Sequence, residues 1–164
     1  MIFFLPILLL LASCNSHKTA VGSAELRFTY QGTVYELSSM NGLQARESTF
    51  EISGIELTTT SYEVADGFGV RVVNKPAEWT AEEAIDNWQA DVIKTWRNNS
   101  IGTRVLEEDC RFPCKDLVFT FAIEGLYYYA RVYVVNNQII EMMAIYDDPN
   151  TYQEFRKVYD SFGN

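Results

Sequence analysis

The sequence predicts an α+β domain in which an antiparallel β-sheet is flanked by helices, and three observations carry that prediction. A late stretch alternates its side chains with the period of strands and is broken at two short turn signals. A capped helix bearing a tryptophan stripe precedes this stretch, and a shorter aromatic helix follows it. The chain has 164 residues, 48% apolar and 21% charged, a composition that fits one globular core rather than a disordered or fibrous chain.

Taken in order, residues 2–13 (IFFLPILLLLAS) carry no charge. Twelve residues rise about 18 Å as a helix, short of the ~30 Å hydrocarbon core, so they read as a signal-peptide apolar run rather than a membrane span. Residues 15–24 are small, polar and aperiodic, which suits a flexible tether. Leu26 to Leu37 reads as a strand or short hairpin around Gly32. Ser48 to Val64 is rich in β-branched and aromatic residues, with Gly54 a turn or bulge. Phe68 to Val73 follows the Asp66-Gly67 turn signal and forms a hairpin with that run.

The first helix opens at Thr80, with Glu83 three residues later in a capping box. Ile85, Trp88, Val92 and Trp96 recur at helical spacing, Lys94 and Arg97 close the last turn, and Asn98-Asn99 ends it. The two tryptophans read as core, or alternatively as a ligand platform. Three strands then follow, Leu117 to Ile123, Leu126 to Val135 and Gln138 to Tyr146, joined at Glu124-Gly125 and Asn136-Asn137. With two-residue loops, residue 123 pairs with 126 and 135 with 138. One face then carries Phe119, Phe121, Ile123, Tyr128, Ala130, Val132, Val134, Ile139, Met143 and Ile145, interrupted only by Glu141. A carboxylate in that company needs an arginine or the solvent, and Arg131 alternates to the other face. The other face carries Thr120, Tyr127, Tyr129, Arg131, Tyr133, Ile140 and Met142. It has two readings: a second layer of helices or loops covers it, or Tyr127, Tyr129, Arg131 and Tyr133 form a partner-binding surface. In the last helix Asp148 caps, Pro149 suits the first position, and Tyr152, Phe155, Tyr159 and Phe162 form a stripe.

The formal charge of −9 makes nucleic acid a poor partner. The single histidine, His17, precedes every apolar segment of the domain, which removes histidine-based triads and most histidine-ligated metal sites. Cys110 and Cys114 flank a Pro-containing turn and in an exported protein read as a disulfide, with free thiols and a metal or redox pair as alternatives. Glu107-Glu108-Asp109 and Asp147-Asp148 read as solvated turns, without the fixed spacing of a calcium loop. No phosphate-binding loop, dinucleotide fingerprint or nucleophile elbow is present, and no catalytic residue or cofactor is assigned.

Leu11-Ala12-Ser13-Cys14 resembles the bacterial lipoprotein signal, although no basic residue precedes the apolar run. The resemblance implies removal of residues 1–13, a diacylglycerol thioether on Cys14 and acylation, with palmitate, of the new amino terminus. Such an anchor exceeds the two-signal threshold for stable membrane attachment. Residues 14–24 are then a lipidated tether and 25–164 a single domain, and Asn15 in place of aspartate favours the outer membrane. The stretches 129–137 (YARVYVVNN), Ile140 to Ile145 and Phe155 to Phe162 resemble the Mog/PsbP-like superfamily, over roughly residues 48 to 162. Bacterial relatives there include DcrB-type and LpqN-type lipoproteins. That resemblance implies an antiparallel sheet with helices on both sides, an α/β/α sandwich; it transfers no binding residue. The expected function is that of a non-enzymatic, protein-binding or assembly accessory lipoprotein of the bacterial cell envelope, facing the periplasm and acting on an unidentified envelope protein. A carrier of a small ligand or divalent cation is the alternative.

Overall fold

In the computed structural model the described residues are 26–40, 42–98, 100–106, 110–121 and 125–163. Cys14, the apolar run, the tether and the 107–109 acidic run lie outside them. The elements are β1 (Arg27–Tyr30), β2 (Thr33–Glu36), β3 (Ala45–Ile52), β4 (Ile55–Ala65), β5 (Phe68–Asn74), α1 (Ala81–Trp96), β6 (Ser100–Leu106), β7 (Cys114–Phe121), β8 (Tyr127–Val135), β9 (Gln138–Tyr146) and α2 (Tyr152–Asp160). Strands β1 and β2 form a separate hairpin, and the other seven form one antiparallel sheet in the order β3-β4-β5-β9-β8-β7-β6.

Local chemistry sets these boundaries. Three hairpins turn on two residues with positive φ: Gln31-Gly32, Ser53-Gly54 and Asn136-Asn137. Such turns match the right-handed twist of the flanking strands, and glycine and asparagine tolerate the left-handed backbone. At α1 the capping box is complete, Thr80 accepting from the Glu83 N–H and Glu83 accepting from the Thr80 N–H at 2.8 Å. A short 3₁₀ turn over Pro149–Thr151, capped by Asp148, leads into α2.

The structure adds one strand to the expected set and corrects one register. Ser100–Leu106, where Ile101, Thr103 and Val105 alternate with Ser100, Gly102 and Arg104, is an edge strand that the sequence reading left out. The β7–β8 register pairs Phe119 with Tyr128, two residues away from that of a two-residue loop. The connection is longer than expected, and because the shift is even each side chain keeps its face.

The two helices pack into two separate buried clusters against the sheet. α1 lies over Leu117, Phe119, Ala130, Val132, Val134 and Ile139, with Trp88 buried at 1% exposure and Trp96 stacked obliquely on Tyr128. Trp88 is therefore core, and Trp96 packs half-buried against its cluster. α2 and the β1–β2 hairpin lie over Phe68, Val70, Tyr129, Tyr133, Ile140, Met142 and Ala144. This corrects the partner-surface reading of the tyrosine face, since Tyr129, Arg131 and Tyr133 are 0%, 2% and 2% exposed. The aromatic stripe of α2 needs an apolar platform, and the strand tyrosines supply it. Tyr127, at the end of β8, is half-buried and stacks on Tyr146.

Candidate functional site

Arg131 enters the core from the middle of β8 and is neutralised there. Its Nε and Nη2 donate to the two carboxylate oxygens of Asp116 on β7, at 2.5 and 3.0 Å, and Nη1 donates to Asp160 of α2 at 2.5 Å. Asp116 and Arg131 are cross-strand partners, so the sheet register itself sets the bidentate fork. Tyr129 donates to Asp116 at 2.6 Å, Tyr133 to the Tyr159 carbonyl at 2.7 Å, and Tyr159 to the Tyr129 carbonyl at 3.0 Å. Burial opposes the Arg131 charge, yet the hydrogen bonds and charge of Asp116 outweigh it and raise the guanidinium pKa. Burial, reinforced by Asp116, pushes the Tyr129 hydroxyl far up. Burial also raises Tyr133, against the opposing charge of Arg131.

On the other face, Glu141 finds the partner that the sequence left unassigned. Arg71 of β5 lies directly across from it, with Nη1 at 3.0 Å from Oε2, close enough for an ion pair but without the alignment of a hydrogen bond. Tyr128 donates to Oε1 at 2.7 Å, and the Arg71 guanidinium lies 5.8 Å from the Trp88 ring centre. These buried charges are already matched by protein partners, which is how a fold keeps charge in its interior.

The open feature is a groove of about 730 Å³ where α2 stops covering its face of the sheet. Thr58, Thr60 and Tyr62 of β4, Val72 and Asn74 of β5, and Gln138 of β9 line it from the sheet, and Asn136 joins them from the β8–β9 turn. Glu47 of β3, paired with Thr60, is the carboxylate among the lining residues. Leu26, Leu37 and Ser38 at the open end of the β1–β2 hairpin form the opposite wall. The lining is mostly hydroxyl and amide, able to donate and accept but without strong charge. Sequence reading missed this groove because its walls come from chain segments far apart in sequence; the one local signal was the unbroken polar row of Thr58 and Thr60 in a strand.

Cys110 and Cys114 are joined in a disulfide, with Cα atoms 6.1 Å apart, at the opposite end of the row of paired residues that begins at Glu47. That row runs Glu47, Thr60, Val72, Ile140, Tyr133, Cys114 across six strands. A smaller cavity of about 230 Å³ lies beside the disulfide, lined by Arg111, Phe112, Arg131, Tyr159 and Asp160 among others. Among the described residues no group of three or more metal-ligating side chains comes together, and no helix is long and apolar enough to cross a membrane.

No protein-family model and no curated protein matches the chain. Among solved structures it is similar to PA94, a protein of unknown function from Pseudomonas aeruginosa, at 8% identity and a TM-score of 0.45, over 82% of this chain and 93% of that one. It is similar also to CyanoP, the cyanobacterial PsbP of Synechocystis sp. PCC 6803, at 16% identity and a TM-score of 0.44, over 93% of this chain and 97% of that one.

Proposed function

We propose that the chain is a lipoprotein of the bacterial cell envelope, anchored through an acylated Cys14, whose head is a non-enzymatic protein-binding or assembly module built as a Mog/PsbP-like α/β/α sandwich. The head faces the periplasm, from the outer membrane in the reading that Asn15 favours. The groove between the β1–β2 hairpin and strands β3–β5 carries this reading. It is open, most of its lining is hydroxyl and amide with Glu47 as the carboxylate, and one wall begins at Leu26, two residues after the tether segment. Such a lining suits the polar, hydrogen-bonded contacts of an accessory protein interface. The docking surface therefore moves from the tyrosine face, which the fold uses internally, to this groove.

Site-specific photo-crosslinking in intact cells tests the proposal. A crosslinking residue at Thr58, Asn74 or Gln138 should capture an envelope protein, whereas one at Lys94 on the exposed side of α1 should not. Equal capture at both places, or none in the groove, overturns it. The anchor is tested separately: Cys14→Ala should release the protein from membranes, and unchanged retention refutes the lipid assignment.

A further inference from the structure

We propose that the Cys110–Cys114 disulfide is a redox latch that sets how firmly the β1–β2 wall of the groove is held. This deepens the groove reading and rests on it. The β1–β2 hairpin shares no ladder with the seven-stranded sheet. Two backbone groups tie it to the C-terminal residues instead: Gly163 N–H donates to the Arg27 carbonyl at 2.9 Å, and Thr29 N–H donates to Ser161 Oγ at 3.0 Å. Arg27 adjoins Leu26, which lines the groove.

The C-terminal residues are in turn clasped by the disulfide loop. Arg111 Nη1 donates to the Gly163 carbonyl, and the Phe112 ring meets Phe162 edge-on with centroids 6.0 Å apart. Phe112 also fills the space where a Cβ on residue 163 would stand. The loop itself is pinned to the sheet by the Val134 N–H donating to the Pro113 carbonyl at 3.0 Å, and by the disulfide. Contacts thus run without a gap from the disulfide through Phe112 and Gly163 to Arg27 and the groove wall.

Both cysteines are half-buried rather than sealed in the core. In the switching step the S–S bond breaks and two cysteine thiols form. The dithiol reductant supplies two electrons and two protons and becomes a disulfide. The five-residue loop then regains the freedom that closure had removed, and Arg111 and Phe112 no longer hold Gly163 in place. Phe28 and Tyr30 keep their ring contacts with Phe68, so the hairpin loosens while the sheet keeps its pairing.

Amide exchange of the full-length protein in detergent micelles, read by mass spectrometry before and after reduction with a dithiol, tests the latch. Residues 26–37 and 161–163 should exchange roughly tenfold faster on reduction, with the centres of β8 and β9 unchanged. Acceleration confined to 110–114, or spread evenly over the sheet, overturns the proposal. Phe112→Ala with the disulfide intact should reproduce the faster exchange of residues 26–37, and wild-type exchange there also overturns it. These measurements involve no partner, so they stand or fall apart from the crosslinking result.

Discussion

Raising the pH should unfold this domain through its buried tyrosines, and the size of the effect follows from their burial. Tyr128, Tyr129, Tyr133 and Tyr159 are each 3% exposed or less. Desolvation raises all four above the ordinary value of 10.0; Glu141 adds to it at Tyr128 and Asp116 at Tyr129, while Arg131 opposes it at Tyr133. A group whose folded value is raised contributes stability that is complete below its unfolded pKa and is lost as pH climbs toward the folded one. At pH 11 each such tyrosine forfeits about 1.4 kcal/mol, because only the unfolded chain releases the proton. Four together forfeit about 5–6 kcal/mol, on the scale of the whole stability of a domain, about 5–15 kcal/mol. Unfolding should therefore set in near pH 11. The assay is a paired titration that follows tyrosinate absorbance and near-ultraviolet circular dichroism on one sample. Those four and Tyr146, which burial lifts to about 12, make five of the ten tyrosines that should ionise only within the transition that abolishes the dichroism. If all ten ionise while the dichroism persists, the burial account is wrong.

Other substitutions probe the remaining polar contacts. Arg131→Met leaves Asp116, at 0% exposure, without its ion-pair partner and should cost about 3–5 kcal/mol in urea unfolding. Adding Asp116→Asn should recover part of that loss, and a double variant no better than the single would show that the pair is not coupled. Thr80→Ala removes the cap of α1 and should cost about 1 kcal/mol. The Thr80 backbone and hydroxyl lower the Glu83 pKa from its ordinary 4.5, so the capping box holds fully above that pH and is lost as pH falls through the lowered value. Fraying of the first turn of α1, followed by amide exchange below pH 4.5, checks the sign. Gly67→Ala should cost about 1–3 kcal/mol in thermal unfolding, because φ is +74° there and a Cβ would stand 2.6 Å from the Ile145 carbonyl.

Much of the fold was legible in local spacing. The Thr80 box, the Ile85–Trp96 stripe and the alternation of β8 and β9 are signals contained within a few residues, and each appears where it was read. The β8–β9 register was legible as well, because Asn136-Asn137 permits only a tight turn. What local spacing could not supply was long-range pairing. Arg71 meets Glu141 only because β5 lies beside β9, and Asp116 meets Arg131 only through the β7 register. Glu141 was marked by its break in an apolar face but its partner was not, and Asp116 carries no local mark at all. Of the two readings of the tyrosine face, the covering layer is the one the fold adopts, and α2 was its signal: Tyr152, Phe155, Tyr159 and Phe162 lie on one stripe, and such a stripe needs a platform of matching breadth. The groove was hidden for the opposite reason, since its walls meet only after the hairpin docks.

Coverage of the sheet decides where a partner can act. β8 is buried on both faces along nearly its whole length, and β9 almost as fully, so their side chains are spoken for by α1 and α2. β3, at the edge of the sheet, is exposed over most of its length, and β4 alternates between burial and solvent. Two helices of 16 and 9 residues span only part of a seven-stranded sheet, and the uncovered part on the α2 side is where the groove opens. β5 and β7–β9 thus carry most of the buried side chains, while β3 and β4 leave polar side chains open along the groove to which the proposed docking is assigned. The polar character of Thr58, Thr60 and Asn74 follows from that division, because side chains facing water in an edge region lose little by being hydrophilic and gain the ability to bond a partner.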